Sequence, residues 1–473
     1  MRLRPALLES LPSSVGRFAY DRDAQAIGII HLGLGAFHRA HQAIYTDRAM
    51  SAGDRDWAIC GVSLRSPAVH DQMVPQECLY SLTERGEAGE ATAIVGSIRS
   101  VVVGREDPAA AVAALVLPTV RIVTLTVTEK GYHTSIGGGL AADSADIAHD
   151  LSGAPDTRTI YGYLRDGLAR RRAAGLPGLS IISCDNLADN GPRLAAGLAQ
   201  FLDRADSSLR QWVEAECSTP ATMVDRIVPA TTAEQVAGVE ARLGCRDEAA
   251  VLTEPFSQWI IEDKFAGPRP HWDAVGARLV ADVKAYEVAK LRMLNGAHSA
   301  LAYLGLRQGH TFVHEAVDDA RIRPLISRLM LDEAASTLPQ TPGLDPQAYA
   351  RDLMERFANP CLDHRLEQIA MDGSQKIPER WLPTLRFHQR EGRQCPAILT
   401  ALAAWILHVR PGDHTVADPM AETLSEIWRQ AGAQGVVRSF FGSNGLFAGD
   451  WEASPADIAF LELELQRTAR GRL

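Results

Sequence analysis

Residues Ala26 to Gln42 read AIGIIHLGLGAFHRAHQ, an apolar run that ends in two closely spaced glycines and continues into a helical pattern. The run before Gly33 is continuous and rich in β-branched residues, which is typical of a strand buried on both faces. The residues after Gly35 lead into RAHQAIYTDRAM, which predicts a helix. A strand, a glycine turn and a helix in this order are typical of a dinucleotide-binding fold.

The same pattern continues through the first half of the chain. The further apolar runs DWAICGVSL, RIVTLTVT and LSIISCDN each end in polar or glycine residues. Strands of this kind, set between helical stretches, predict an α/β domain with a parallel sheet. From about Val283, apolar residues recur every three or four positions, which predicts helices. We therefore expect a Rossmann-type cofactor-binding domain over residues 1–282 and a mainly α-helical substrate and catalytic domain over 283–473, divided near the proline-rich AGPRPHWDAVG.

Composition excludes several classes of partner. The 473 residues carry a formal charge of -10 without a basic block, which argues against nucleic acids and anionic membranes and favours a small molecule. The longest apolar run, ILTALAAWILHV from Ile398, is too short to span a bilayer and predicts a buried helix. The seven cysteines are scattered and never form C-x-x-C, so we expect free thiols in the cytoplasm.

The glycine turn predicts where a cofactor binds. Gly33 permits a tight turn, and Gly35 lets the backbone approach a pyrophosphate at a helix N-terminus. His38 stands where the third glycine of G-x-G-x-x-G is expected, so an ordinary strand-to-helix turn is an equal alternative. The next strand runs into Arg65 and Ser66 without a carboxylate for the ribose, and these two residues can instead accept a 2′-phosphate. We expect NAD as cofactor, with NADP as the alternative.

His38 and His41 also form H-x-x-H, a spacing that can offer two imidazoles to a metal. No carboxylate or cysteine accompanies them nearby in sequence. We interpret them as polar groups near a phosphate and expect no metal.

KLRMLNGAHS, from Lys290 to Ser299, sets polar groups into an apolar helix. At 100° per residue, with Lys290 at 0°, Glu287 falls near 60°, His298 near 80° and Asn295 near 140°. These four side chains then share one face of the helix.

Hydride transfer to or from an alcohol needs a base and donors for the developing oxyanion. A lysine can act as the base only if burial or neighbouring charges bring its pKa toward neutrality. Lys290 fits that need, Asn295 can donate to the alkoxide, His298 can bond a neighbouring hydroxyl, and Glu287 can relay the proton. The alternative is structural, with a lysine that reaches solvent, a capping asparagine and a core histidine.

The chain resembles the zinc-independent long-chain polyol dehydrogenases, also called the mannitol dehydrogenase family. The resemblance covers nearly the whole chain and rests on seven blocks in the family's order. They are HLGLGAFHRAHQ, TVTEKGY (Thr126–Tyr132), SCDNLADNG (Ser183–Gly191), MVDRIVP (Met223–Pro229), EPFSQWIIED (Glu254–Asp263), KLRMLNGAHS and MDGSQKIP (Met371–Pro378).

The resemblance implies a role for each matching residue. Lys290 is the general base, Asn186 and Asn295 form the oxyanion hole, His298 orients the substrate and Glu287 belongs to the proton exit route. Lys376 and Asp225 line the substrate cleft, although Asp225 can instead form a buried ion pair with Arg226. The residues that match the cofactor turn are Gly33, Gly35, Phe37, His38 and Arg39. The resemblance also implies a metal-free enzyme that is a monomer or a weak homo-oligomer.

Two substrates fit this chemistry. The leading expectation is a mannitol 2-dehydrogenase, which interconverts D-mannitol and D-fructose at C2. The alternative is a fructuronate reductase, which interconverts D-mannonate and D-fructuronate. A uronate carboxylate calls for a cation, and Arg365, Arg386 and Arg390 surround the DGSQK region. A third hypothesis is a non-catalytic dinucleotide-binding protein, which the intact Lys290, Asn295, His298 and Asn186 disfavour.

Overall fold

A computed structural model gives the fold and describes residues 1–86, 88–135, 138–361, 364–412 and 415–469, with the side chains of the last segment described to residue 467. The chain divides into two compact units, Met1–Val283 and Lys284–Leu473. The buried apolar residues of the first unit form three clusters, and those of the second unit form one large cluster.

The first unit is built on a five-stranded sheet in which every neighbouring pair is parallel. In strand β1 the side chain of Ile29 belongs to the cluster on one face, whereas those of Ile30 and Leu32 belong to the cluster on the other. A strand buried on both faces needs the continuous apolar run that the sequence shows. The predicted α/β architecture is therefore confirmed. In sheet order the strands are Ile98–Val103 (β5), Ala58–Ser63 (β2), Ile27–Leu32 (β1), Ile122–Leu125 (β6) and Ser180–Ser183 (β7).

Two three-stranded sheets, which the sequence analysis did not predict, complete the strands of this unit. One combines an antiparallel pair with a parallel third strand, in the order Gly89–Val95 (β4), Tyr80–Gly86 (β3) and Val251–Thr253 (β9). The other has the order Arg278–Val280 (β11), Gln258–Glu262 (β10) and Thr222–Asp225 (β8).

The helices of the first unit are mostly short and cover the sheets. They are Ala36–Ala40 (α1), Gln42–Ser51 (α2), Ala68–Met73 (α3), Pro108–Leu115 (α4), Ala145–Leu151 (α5), Ile160–Ala173 (α6), Asn190–Ala205 (α7), Ser207–Glu216 (α8) and Ala233–Leu243 (α9). Short 3-10 helices span Pro5–Ser10, Val74–Gln76, Glu129–Tyr132 and Trp272–Val275.

Among the described residues of the second unit, the regular elements are all helices, so this part of the chain is mainly helical, as predicted. Its α-helices are Lys284–Ala289 (α10), Gly296–Arg307 (α11), Val313–Asp318 (α12), Ile322–Arg328 (α13), Pro346–Ala358 (α14), Leu366–Ala370 (α15), Gly373–Arg380 (α16), Leu382–Arg390 (α17), Pro396–His408 (α18), Ala421–Phe441 (α19, kinked at Gly432) and Pro455–Ala469 (α20). Two segments are π-helical, Lys290–Asn295 and Leu329–Ala334, and Ala335–Thr337 is a 3-10 turn.

Helix α18 is the buried helix that the longest apolar run predicts. All of its residues from Ala397 to Leu407 are buried, because nearly every side chain in this segment is apolar. No helix among the described residues is both long and apolar enough to cross a membrane. The seven cysteines are free thiols, and Cys361 is the exposed one.

Candidate active site

The glycine turn after β1 has a conformation that only glycine adopts without strain. Gly33 has φ +95°, and a Cβ atom at this position would lie 2.2 Å from the carbonyl oxygen of Thr126. The Thr126 hydroxyl in turn donates to the Gly33 carbonyl at 3.0 Å. The turn is therefore packed directly on the chain that leaves strand β6.

Gly35 meets the requirement for a close backbone approach. A Cβ atom there would find only the Gly33 carbonyl, at 3.8 Å, within 4 Å. The helix that follows, α1, has five residues and ends at His41, whose φ of -127° and ψ of -91° are not helical. The turn thus fits a cofactor pyrophosphate through its open backbone, although the helix beside it is shorter than the sequence predicts.

The side chains after the turn are buried or half-buried. His38 is fully buried and stacks on His31, with ring centroids 3.5 Å apart. The guanidinium of Arg39 donates to the Ala249 carbonyl at 2.5 Å and lies over the ring of Tyr80. Phe37 is half-buried and stacks on His41. The geometry supports a packing role for His38 and Arg39, and a cofactor contact by their side chains stays a prediction.

The segment after β2 bears on the choice between NAD and NADP. Arg65, Ser66 and Pro67 are exposed, and the Ser63 hydroxyl donates to the Ser66 carbonyl at 2.6 Å. The end of β2 thus carries a cation and a hydroxyl where NAD enzymes of this fold place a carboxylate.

An acidic residue that the sequence analysis did not single out organises the ends of β6 and β7. The buried carboxylate of Asp185 accepts hydrogen bonds from the Val127 and Thr128 amides at 3.1 and 2.8 Å and from the Tyr132 hydroxyl at 2.7 Å. Burial raises the pKa of Asp185, and these donors partly offset the rise. Thr128 has φ +63°, a conformation that costs a β-branched residue energy. Asn186, the next residue, is exposed at the carboxyl end of the parallel sheet.

Asp225 ends strand β8, and its side chain is buried. The predicted alternative role of Asp225 is an ion pair with Arg226. The Arg226 guanidinium bonds to Glu84 at 2.5 Å and to the carbonyls of Ala40 and Glu254. Arg226 therefore joins three segments of the first unit.

In the second unit, the lysine stretch is a π-helix between two α-helices. Residues Lys290–Asn295 form the π segment, with α10 before it and α11 after it. Lys290 and His298 are 8% and 7% exposed, whereas Asn295 is half-buried. Both carboxylate oxygens of Glu287 are shielded from solvent. Such π segments are rare and frequently lie at functional sites.

The π segment corrects the predicted helical wheel, which assumed 100° for every residue. A π-helix is bonded from residue i to i+5 and takes one more residue into its turn, so Asn295 stands about one turn above Lys290, roughly 40° from it around the axis instead of about 140°. His298, three α-helical residues beyond Asn295, then lies roughly 20° from Lys290 on the other side. The structure thus aligns Lys290, Asn295 and His298 more closely than a regular α-helix would.

His298 lies in a cationic neighbourhood. Its ring is 4.7 Å from the Phe357 ring and 5.2 Å from the His364 ring, measured between centroids. Burial, followed by the charges of His364, Arg356, Arg380 and Lys290, lowers the pKa of His298 well below its usual value. His298 is therefore neutral at neutral pH. Its Nε2 is buried with no hydrogen-bond partner among the residues that the structure describes.

Helix α16 contributes a predicted and an unpredicted residue. Lys376 is half-buried, and its ammonium donates to the carbonyls of Met371 at 2.5 Å and Ile369 at 3.3 Å. Arg380, one turn later on the same face, donates to the Asn295 carbonyl at 3.2 Å and to the Ser299 hydroxyl at 2.8 Å. Burial and then the charge of Arg380 lower the pKa of Lys376.

The arginines named from the sequence as carboxylate partners are placed differently. The Arg365 guanidinium lies over the Phe312 ring at 5.4 Å, Arg386 is exposed and donates to the Asp450 carbonyl at 3.1 Å, and Arg390 is exposed. The arginines whose charges act on His298 are Arg356 and Arg380. Sequence spacing gave no sign of them, since they lie on helices distant along the chain.

The H-x-x-H pair does not form a metal site. His38 stacks on His31, while Nε2 of His41 bonds to the Gln258 carbonyl at 2.9 Å. Across the described part of the chain, no group of three or more His, Cys, Asp or Glu side chains is arranged to hold a metal ion.

Comparison with known proteins identifies the family. The family model described as the mannitol dehydrogenase Rossmann domain matches residues 27–274, and the model of the mannitol dehydrogenase C-terminal domain matches residues 282–468. The chain belongs to the mannitol dehydrogenase family. The family predicted from the sequence is thus confirmed, and the chain is an oxidoreductase of this family.

Individual relatives in the mannitol dehydrogenase family differ in substrate. The D-mannonate oxidoreductase of Escherichia coli K12 is 39% identical over 446 residues, which cover 92% of each protein. A mannitol dehydrogenase of Saccharomyces cerevisiae is 37% identical over 434 residues, 89% of this chain and 86% of that protein. A solved structure of Pseudomonas fluorescens mannitol 2-dehydrogenase with NAD and D-mannitol is 34% identical, with a TM-score of 0.85, and covers 100% of this chain and 97% of that one.

Proposed function

We propose that this protein is an NAD-dependent dehydrogenase that interconverts D-mannitol and D-fructose by hydride transfer at C2. The observation that carries the proposal is the alignment of Lys290, Asn295 and His298 on one side of a helix through its π segment. A π segment that brings three polar side chains together in an apolar helix is typical of a functional site.

Lys290 acts as the general base in this proposal. When the alcohol is oxidised, the hydroxyl proton passes to the neutral Lys290 amine as the C2 hydrogen leaves as hydride. In reduction the ammonium returns the proton to the carbonyl oxygen. Lys290 is buried, which is the environment in which a lysine can serve as a base. Glu287, on the preceding helical turn, takes the proton onward.

Asn295 and His298 hold the substrate. The amide group of Asn295 donates to the oxygen that gains negative charge, and the amide of Asn186 is assigned the same role. Neutral His298 offers Nε2 to a neighbouring hydroxyl of the substrate, which gives that buried atom a partner. We assign Lys376 and Asp225 to the remaining hydroxyl groups. Fixed donors of this kind lower the barrier because they need not reorganise during the reaction.

The turn at Gly33 and Gly35 is assigned to the cofactor pyrophosphate, with Phe37, His38 and Arg39 supporting the turn. Bound NAD supplies the hydride acceptor, and NADH the hydride donor. The choice of NAD rests on the Pseudomonas fluorescens mannitol 2-dehydrogenase, which was solved with NAD. Arg65 and Ser66 are the residues that favour the alternative, NADP.

A second candidate is the reduction of D-fructuronate to D-mannonate. The 39% identity to a D-mannonate oxidoreductase favours it, as do the cations Arg356 and Arg380 around His298. A substrate carboxylate placed among these cations gains electrostatic stabilisation that a terminal hydroxyl does not.

The test is the rate of NADH oxidation by the purified protein, with D-fructose and D-fructuronate as paired substrates and NADPH as the paired cofactor. The mannitol proposal requires a higher kcat/KM for D-fructose. A preference for D-fructuronate would establish the second candidate, and no turnover of either ketose would overturn both. The matched control is Lys290→Met, which removes the proposed base and keeps a side chain of similar length.

We also propose a cytoplasmic location, because all seven cysteines are free thiols. A reducing compartment keeps cysteines in this state.

A further inference from the structure

Two side chains from outside the lysine helix bond to its backbone at the point where the π segment ends. The Arg380 guanidinium donates to the Asn295 carbonyl at 3.2 Å, and the Trp381 indole N–H donates to the Gly296 carbonyl at 3.1 Å. Asn295 is the last π residue, and Gly296 is the first residue of α11. Both bonds therefore lie at the change from i+5 to i+4 bonding.

The donors are adjacent residues held rigidly. Arg380 ends helix α16, and Trp381 lies between α16 and α17. Trp381 is fully buried and meets the Tyr303 ring edge-on, with centroids 6.2 Å apart. A Cβ atom at residue 296 would stand 3.5 Å from the indole nitrogen, an ordinary contact distance, so the indole packs directly against this residue.

We propose that Arg380 and Trp381 are positioning residues that hold the π-helical register of the lysine helix. The proposal rests on the function proposed above, because it concerns the residues to which that function assigns the chemistry. The two donors stabilise the backbone carbonyls that surround the side chain of Asn295. They thereby keep Asn295 one turn above Lys290.

Loss of this register has a defined geometric result. A segment that relaxes to regular α-helical bonding places Asn295 about 140° from Lys290 at 100° per residue. Asn295 and Lys290 then cannot contact the same substrate oxygen. Because misplacement by about 1 Å costs on the order of a hundredfold in rate, a change of register lowers kcat strongly.

Arg380 has a second effect through its charge. Its guanidinium also donates to the Ser299 hydroxyl at 2.8 Å, next to His298 in the chain. This charge contributes to the lowered pKa of His298, after burial and the charges of His364 and Arg356. Arg380 thus helps to keep His298 neutral, the form that can accept a hydrogen bond at Nε2 from a substrate hydroxyl.

The experiment compares Trp381→Phe with Trp428→Phe. Trp428 is the matched control, because its buried indole N–H also donates to a helix carbonyl, that of Ile406 at 2.9 Å. Each substitution removes the N–H donor and keeps an aromatic ring. We expect Trp381→Phe to lower kcat by about tenfold to a hundredfold, with KM for NADH unchanged, and Trp428→Phe to keep the wild-type kcat. Amide hydrogen exchange in the peptide that covers Lys290–Ser299 should be faster only in Trp381→Phe.

Arg380→Met and Arg380→Lys separate geometry from charge. Both lose the planar guanidinium whose Nη1 donates to the Asn295 carbonyl and to the Ser299 hydroxyl, so both should lower kcat. Only Arg380→Met removes the charge, so its acid limb in the pH profile of kcat should move to higher pH, while Arg380→Lys keeps the wild-type limb.

The outcomes distinguish this proposal from the proposed function. An active wild type, with Trp381→Phe equal to Trp428→Phe in kcat and in exchange, would overturn the positioning role and leave the function intact. A wild type without activity on any tested ketose would overturn both. A lower kcat with unchanged exchange in the Lys290–Ser299 peptide would also contradict the proposed mechanism of positioning.

Discussion

Lys290 is a buried lysine on a helix whose other inward side chains, such as Met293 and Leu294, are apolar. Burying a charged group without a purpose is costly, so a lysine at such a position needs a specific role. Its neighbours Asn295 and His298 supply a donor and a neutral imidazole. This combination has a direct kinetic consequence.

We expect Lys290→Met to lower kcat by about a thousandfold, because a positioned general base contributes about two to four orders of magnitude. The dissociation constant for NADH, measured by fluorescence titration, should stay near the wild-type value. Lys284→Met is the control, since Lys284 is an exposed lysine on the preceding helix. Weaker NADH binding with an unchanged rate at saturation would disprove the assignment.

Gly33→Ala should destabilise the protein even without cofactor. The new Cβ meets the Thr126 carbonyl, and φ of +95° is strained for alanine, so we expect a loss of about 1–3 kcal/mol in the free energy of unfolding. Gly238→Ala, on the exposed face of helix α9 with open space around it, should instead be neutral or stabilising by about 0.5–1 kcal/mol. Urea denaturation measures both, and equal stability of the two variants would contradict the strain.

Sequence reasoning reached some of these residues and missed others for physical reasons. Gly33 and Lys290 are recognisable because each breaks a local pattern, a glycine at a strand end and a lysine in an apolar helix. Arg380 and Asp185 break none, since they resemble ordinary polar residues near helix and strand ends. Their contacts with Asn295 and Thr128 depend on folding of distant segments, which spacing along the chain does not report.

Among the elements of the second unit, the π segment Leu329–Ala334 has a distinct electrostatic role. Its buried Glu333 carboxylate accepts hydrogen bonds from the amides of Ala397 and Ile398 at 2.8 and 2.9 Å, at the N-terminus of helix α18. Negative charge is favourable at a helix N-terminus. Burial nevertheless dominates and raises the pKa of Glu333 to about 7.

This pKa predicts a pH dependence of stability. Above the ordinary value of 4.5 and up to about 7, the folded protein binds the Glu333 proton and the unfolded chain does not, so stability falls as pH rises through this window. The contribution is up to about 3 kcal/mol at about 1.4 kcal/mol per pKa unit. Urea denaturation at roughly one-unit steps from about pH 5 to about pH 8 measures this dependence. The free energy of unfolding of Glu333→Gln should change less with pH than that of the wild type. Parallel profiles of variant and wild type would contradict this expectation.

At the level of elements, periodicity predicted the helical character of the second unit, but neither the two three-stranded sheets of the first unit nor the π geometry of the lysine segment. The helical pattern from Val283 onward is clear in the sequence, and α10, α11 and α18 lie where it indicates. The π register is invisible to that pattern, because one additional residue in a turn leaves the neighbouring apolar spacing nearly intact. Two donors from the end of helix α16 and the residue after it, Arg380 and Trp381, bond to the backbone where that register ends.

The whole molecule consists of two units with separate buried clusters. A ligand that binds one unit therefore stabilises that unit directly. The first unit contains the glycine turn and the parallel sheet, and the second contains Lys290. The seven sequence blocks behind the family resemblance are distributed over both units. They sufficed to predict the family, whereas the substrate is left open by relatives that act on mannitol and on mannonate.

NADH at about a hundred times its dissociation constant should raise the free energy of unfolding of the unit that binds it by about 2.7 kcal/mol. Because the proposed pyrophosphate site lies at Gly33 and Gly35, calorimetry should show this shift in wild type and in Lys290→Met alike. Gly33→Ala should show little or none of it. A shift that disappears in Lys290→Met would instead assign the lysine to cofactor binding.

The π segment also changes how related chains are to be aligned. An i+5 turn holds one residue more than an i+4 turn, so Lys290–Asn295 contains, in effect, a single inserted residue. A chain that keeps the lysine, the asparagine and the histidine but lacks one residue between the first two holds the same alignment on a regular helix, because four α-helical residues span about 400°. In newly sequenced chains, a one-residue gap at this place is therefore compatible with the same arrangement of the three side chains.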